Sequence, residues 1–178
     1  MTMQRIWGLD VVPVVKARDL LAPPVAAAAD GSWLVTAIDA DLADTAAFCA
    51  AYDAPLEASA NCVVVAGRRG DATTLAACVV LATTRADVNG VVRKLLDARK
   101  ASFAPMDAAT SASGMEFGGI TPVGLPVSWP IYVDPRVLEV ELAIIGSGLR
   151  RSKLLLPGAA IGALAGVQVI DGLANPVS

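Results

Sequence analysis

Apolar residues in this chain fall into short runs separated by glycine, proline and polar punctuation, and most runs are of strand length rather than helix length. Residues 33–38 (WLVTAI), 61–66 (NCVVVA) and 74–82 (TLAACVVLA) are rich in β-branched and large apolar side chains and read as strands. The last two flank the turn sequence GRRGD at 67–71, which predicts an antiparallel hairpin. Both of its strands are apolar almost throughout, so both faces are expected to be covered. Periodicity of the helical kind appears in two places. One is a helix to about Tyr52, capped by Asp39 or Asp41, with Leu42, Ala46, Phe48 and Cys49 supplying apolar surface. The other spans about 86–98, with Val88, Val91, Val92, Leu95 and Leu96 inward, Arg93, Lys94 and Arg99 outward, and Thr84 or Asp87 as cap.

Farther along, 100–104 predicts a short strand and 105–113 a short helix stopped at Gly114. Residues 131–134, 141–145 and 153–156 predict three more strands, and a helix from Pro157 and a strand near 167–170 follow. Residues 1–30 carry Pro13, Pro23, Pro24 and a run of alanines before Asp30-Gly31, and read as an N-terminal arm. Residues 31–178 then make one domain, a length that suits a single core. The predicted class is mixed α/β: about seven strands in a mixed sheet, curved or barrel-like, with helices packed around it.

Composition narrows the chemistry. With hydrophobic residues at 55% and aromatics at 4%, the interior must be built from Ala, Val, Leu and Ile. Residues 154–170 lack charge, but Pro157 and three glycines interrupt them and they fall short of the ~20 residues a spanning helix needs. No secretory signal is read at the start, and no membrane association is expected. Cys49, Cys62 and Cys78 are odd in number and widely spaced, which fits free thiols in a reducing cytoplasm. The count of histidines is zero, which excludes Ser-His-Asp and Cys-His catalysis and histidine-ligated metals. No metal or cofactor is expected. Net charge is −3, yet residues 61–100 hold seven basic against three acidic residues. That segment alone is basic enough to meet phosphates.

Two glycine-rich stretches remain. EFGGITPVGLP at 116–126 combines glycines, which permit close approach of the backbone, with prolines, which fix its course. It specifies one loop shape, either a connection between strands or a rigid binding loop. GSGLRRS at 146–152 lacks the lysine and hydroxyl of a phosphate-binding P-loop and precedes a strand rather than a helix. Ser147 has no evident base, and Glu139, Glu141 and Asp134 read as solvated-edge or turn residues.

The order of hairpin, basic helix, GGITPVGLP, a strand ending IYVD, and GSGLRRSKLLL resembles the YbaK/ProX aminoacyl-tRNA editing domain over roughly residues 33–169. The resemblance implies hydrolysis of the ester of mischarged tRNA, either in trans beside a synthetase partner or as an inserted module. It implies that Gly118, Gly119, Ile120, Thr121, Pro122 and Gly124 line the pocket for the aminoacyl end, and that Gly146, Ser147 and Gly148 form the opposite wall. Gly119, Thr121 and Asn61 are then the residues nearest the reaction, and Arg93, Lys94, Arg150 and Arg151 are placed to hold tRNA phosphates. One position departs from the family pattern. Members usually carry a lysine early in the first hairpin strand, where this chain reads Ala60-Asn61-Cys62-Val63. Asn61 can donate and accept hydrogen bonds but supplies no charge. Three readings stay open: Asn61 positions substrate differently, another cation reaches the site, or the protein binds without hydrolysing.

Overall fold

A computed structural model describes residues 3–177. Its frame is two five-stranded sheets. The first has the order β1 (Gln4–Ile6), β2 (Leu9–Pro13), β3 (Leu34–Ala37), β10 (Ser152–Leu156) and β9 (Ala143–Gly146), antiparallel throughout. The second has the order β11 (Val167–Val169), β8 (Ile131–Val133), β5 (Ala72–Leu81), β4 (Ala60–Arg69) and β7 (Lys100–Phe103). In that sheet β8 runs parallel to both β5 and β11, so it is mixed. A parallel bridge from Ser59 to Ile144 joins the two sheets at one corner, and they do not close into a barrel. A third, two-stranded ladder pairs β6 (Thr84–Ala86) with β12 (Ala174–Pro176).

Strand alternation explains the long apolar runs. Leu154 and Leu156 of β10, Ile145 of β9, and Ala77 and Val79 of β5 point into the layer between the sheets and are all buried. Their neighbours face outward into separate clusters. Leu155 and Ile144 pack with Phe48 and Cys49, whereas Ala76, Cys78 and Val80 pack with Val65, Val92 and Tyr132. The predicted hairpin is present, with Asn61 opposite Val80 and the turn tightened to Gly70-Asp71.

Three local expectations shift. The segment read as an arm leading to a short helix does contain that helix, α1 (Pro23–Ala28), but it also supplies β1 and β2; Val14 and Val25 are fully buried in the central layer, and β2 pairs with β3. Residues 39–52 form a 3-10 turn, Ala40–Leu42, capped by Asp39, and then α2 (Thr45–Tyr52). The cap of α2 is Asp44, whose carboxylate accepts from the amides of Ala46 and Ala47. The helix expected over 86–98 begins as a π-helical turn, Val88–Val92, before a short α3 (Arg93–Leu95). Asp87, one of the two expected caps, caps that turn by accepting from the amides of Gly90 and Val91, at 3.0 and 3.3 Å. Asp134 likewise caps α5 (Pro135–Leu138) through the Arg136 amide, in keeping with its reading as a turn residue. The remaining helices are α4 (Met106–Ser113), which ends at a left-handed Gly114 as expected, and α6 (Gly158–Gly162). No described helix is long and apolar enough to cross a membrane.

The N-terminal segment also fixes the loop at 116–126. Gly124 has φ +80°, and a Cβ there would collide with the carbonyl oxygen of Pro24. Gly124→Ala is therefore expected to lower unfolding free energy by about 2–4 kcal/mol, combining a left-handed penalty with overpacking. Urea denaturation measures it, and a change under about 0.5 kcal/mol, the usual size for an unconstrained surface site, contradicts this contact.

Candidate functional site

The two glycine-rich stretches fold against each other. The Glu116 amide donates to the Gly148 carbonyl at 2.8 Å, and the Gly148 amide donates to the Gly119 carbonyl at 2.7 Å. Side chains add to this. The Glu116 carboxylate accepts from the Arg150 amide at 2.8 Å, and the Arg150 guanidinium donates to the carbonyls of Phe117 and Ala40, at 3.2 and 3.1 Å. Close approach of this order requires missing side chains. A Cβ on Gly119 would lie 2.7 Å from the backbone of Leu149, and one on Gly146 would lie 2.5 Å from the Gly119 carbonyl oxygen.

This union forms one wall of a cavity of about 560 Å³. The facing wall comes from residues 59–64 at the start of β4, and α2 contributes Thr45 and Phe48 beside Ala43 and Asp44. Exposure grades from bottom to mouth. Phe48, Ile144 and Lys153 are 1%, 2% and 8% exposed, whereas Phe117, Met106 and Phe103 at the rim are 52%, 55% and 65% exposed.

Three polar features belong to residues that line this cavity. Gly118 and Ile120 line it, and among the described residues neither amide donates to a protein acceptor. Asn61 is half-buried; its Oδ1 accepts from the Thr45 hydroxyl at 2.8 Å, and its amide nitrogen has no partner among the described residues. Lys153 extends from β10 toward α2, where its Nζ donates to the Ala43 carbonyl at 3.2 Å and lies 5.2 Å from the centre of the Phe48 ring. Burial is the main cause that lowers its pKa below the usual 10.5; Cys49 and Asp44 oppose the shift and Arg150 adds to it. Cys62 also lines the cavity, but burial, with a smaller contribution from Cys78, pushes its thiol up and keeps it protonated. Burial pushes Cys78 to about 12.

Of the residues singled out from sequence, Asn61, Gly118, Ile120, Gly146 and Arg150 come together around the cavity. Gly119, Thr121, Pro122, Gly124, Ser147 and Gly148 stand behind its wall. The Gly119 amide is taken by the Glu116 carbonyl at 2.9 Å, so it is not available to a ligand. Thr121 is fully buried and its hydroxyl has no partner among the described residues. Ser147 is also fully buried, sharing a 2.7 Å hydrogen bond with Ser152 and donating to the Leu149 or Ser152 carbonyl, which makes it a pin of the turn. Arg151 is exposed and donates to the Asp19 carbonyl at 2.8 Å. Arg93 belongs to a second cavity of about 460 Å³, together with Arg68, Arg99 and Lys100, and Lys94 is exposed nearby on α3. No cluster of metal-ligating side chains is present among the described residues.

The sequence reading passed over Lys153, Phe103 and Phe117. A lone cation heading the buried run KLLL was the available signal for Lys153, because lysine on a covered strand is uncommon. The two phenylalanines gave none, since exposure is decided by tertiary packing.

Comparison with known proteins follows this geometry. A crystal structure of a candidate trans-editing enzyme for prolyl tRNA synthetase is similar with a TM-score of 0.68 at 23% identity, over 79% of this chain and 86% of that one. A hypothetical protein is similar with a TM-score of 0.70 at 18% identity, over 80% and 91% of the two chains. At such identities the likeness is one of fold. A search of curated proteins finds no match. The profile of the aminoacyl-tRNA editing domain, in contrast, matches residues 39–163, a span that holds both glycine-rich stretches, Asn61 and Lys153. Matched over well more than half of its length, the chain belongs to the aminoacyl-tRNA editing domain family.

Proposed function

We propose that this protein removes amino acids from mischarged tRNA in trans, with the aminoacyl end held in the cavity between Gly118, Ile120 and Asn61. The observation that carries the reading is the pair of unused amides at Gly118 and Ile120 on a wall held rigid from behind. In the reaction, water attacks the ester carbonyl carbon and the carbonyl electrons collect on oxygen. Collapse then expels the ribose oxygen, which takes a proton from the attacking water, leaving free amino acid and uncharged tRNA. An aminoacyl ester is already activated, so fixed donors facing the developing oxyanion supply much of what is needed without histidine. The unpartnered amide nitrogen of Asn61 orients the ester or the water, with the Thr45 hydroxyl fixing its rotamer. Phe103 and Phe117 at the rim offer faces on which the terminal base of the tRNA stacks. Arg68, Arg99 and Lys100, at the far ends of the strands that carry Val64 and Phe103 to the cavity, supply charge for the phosphates.

A second reading is favoured by one feature: Asn61 is uncharged and its oxygen is already engaged. On that reading the same cavity binds aminoacyl-tRNA or an aminoacyl-nucleotide without turnover. The expected outcome of the main reading is release of amino acid from at least one member of a full panel of mischarged tRNAs, with Asn61→Ala reducing kcat/KM by roughly 10-fold. No release across the panel contradicts it. Saturable, salt-sensitive tRNA binding without release, joined by a gain of hydrolysis in Asn61→Lys, establishes the second reading instead.

A further inference from the structure

The cavity holds a buried charge that no carboxylate meets at ion-pair distance, with Asp44 and Cys49 nearby favouring it only from farther off. Lys153 is 8% exposed, yet no carboxylate lies within ion-pair distance of it among the described residues. An ammonium has three N–H donors, and the Ala43 carbonyl takes one of them at 3.2 Å. The Phe48 ring, 5.2 Å away, compensates a second side of the charge only in part. The neighbouring Ala43, Phe48 and Ile144 are apolar and buried, and although Asp44, Thr45 and Ser59 also line the cavity, none of their oxygens accepts a hydrogen bond from Lys153. A buried charge is costly unless it is paired. Lys153 is among the buried lining residues, whereas Phe103, Met106 and Phe117 are exposed.

We infer that Lys153 is a specificity-determining residue: its ammonium receives an acceptor oxygen at the end of the bound acyl side chain, a carboxylate or a hydroxyl. This rests on the placement of the aminoacyl end proposed above. With the ester at Gly118 and Ile120, near the exposed half of the cavity, the acyl side chain is the part of the substrate that reaches Lys153. Aliphatic side chains leave the ammonium unpaired and desolvate it further, so the site discriminates against them. The direction of the Lys153 pKa, lowered chiefly by burial, agrees with a charge that the protein itself leaves undercompensated.

The test compares wild type with Lys153→Met on tRNAs charged with aspartate, serine, alanine and valine. Wild type is expected to favour the oxygen-bearing esters, and the ratio of their kcat/KM to those of the alanyl and valyl esters is expected to fall roughly 10- to 100-fold in the variant, the loss associated with one hydrogen bond to a charged group. Loss for aspartyl alone identifies the carboxylate, and loss for both identifies any acceptor oxygen. An unchanged ratio overturns the inference while leaving the proposed hydrolysis standing. A readout without turnover separates the two in the other direction. The NMR resonance of the Lys153 ammonium or its ε-carbon is expected to shift on adding a non-hydrolysable aspartyl or seryl 3′-amide of adenosine, and not with the valyl analogue. A shift without deacylation on any tRNA removes the hydrolysis and keeps the inference; no shift with any analogue removes the inference.

Stability distinguishes a merely structural lysine. Because burial lowers the folded-state pKa, the unfolded chain holds more protons between that value and 10.5, and wild-type stability gains on the variant as pH rises through this window. Lys153→Met is therefore expected to melt at or above wild type near neutral pH, with its advantage shrinking toward pH 10.5. A variant that melts well below wild type shows a lysine already satisfied by Ala43 and Phe48, and overturns the inference.

Discussion

The constraint on which the site depends is backbone contact between two loops that are distant in sequence. Glu116, Gly119 and Gly148 exchange main-chain hydrogen bonds, and Arg150 straps the outside of the same junction. Contact this close is available only where neither chain carries a Cβ, which accounts for glycine at both 119 and 146. Its consequence is electrostatic as well as steric. Between the loops Gly119 gives its carbonyl, its amide is taken within its own loop by the Glu116 carbonyl, and the amides of Gly118 and Ile120 have no acceptor among the described residues. Under the proposed function, those two amides are the donors offered to a developing oxyanion.

The rest of the molecule positions that wall. β9 and β10 bring the second glycine turn to the corner where the Ser59–Ile144 bridge joins the sheets, and β4 starts at the same corner with Asn61. The central layer of Leu154, Leu156, Ile145, Ala77 and Val79 fixes the sheets relative to each other. The N-terminal segment supports the loop from behind, where α1 lies against Gly124 and Gly148. Rigid elements on three sides thus hold a site whose own residues are mostly loop.

Much of the fold was legible because it is encoded locally. The hairpin followed from two apolar runs around a glycine turn, and the short helix before Gly114 from its stop signal. What escaped was set by tertiary contact. β1 and β2 are short and separated by Trp7-Gly8, so nothing local marks them as strands that extend a sheet. The π-helical start at Val88, which Asp87 caps, is a turn that a 3.6-residue pattern does not anticipate. At the site, the glycine-rich stretches and Asn61 were readable as a group. Which amides remain unused was not, because that depends on the turn the loop adopts, in which the Glu116 carbonyl takes the Gly119 amide. Lys153 was overlooked for a similar reason: its sequence neighbours place it on a covered strand, but only packing shows that no carboxylate meets it.

The account stands on the aminoacyl end occupying the cavity against the Gly118–Ile120 wall. A crystal structure with a non-hydrolysable 3′-aminoacylamino analogue of adenosine tests this most directly. The account predicts the aminoacyl carbonyl oxygen within hydrogen-bonding distance of the Gly118 or Ile120 amide, the base near Phe103 or Phe117, and an unmoved junction between Gly119 and Gly148. An analogue bound instead in the cavity of Arg68, Arg93 and Lys100, or a junction that opens to admit it, contradicts the account.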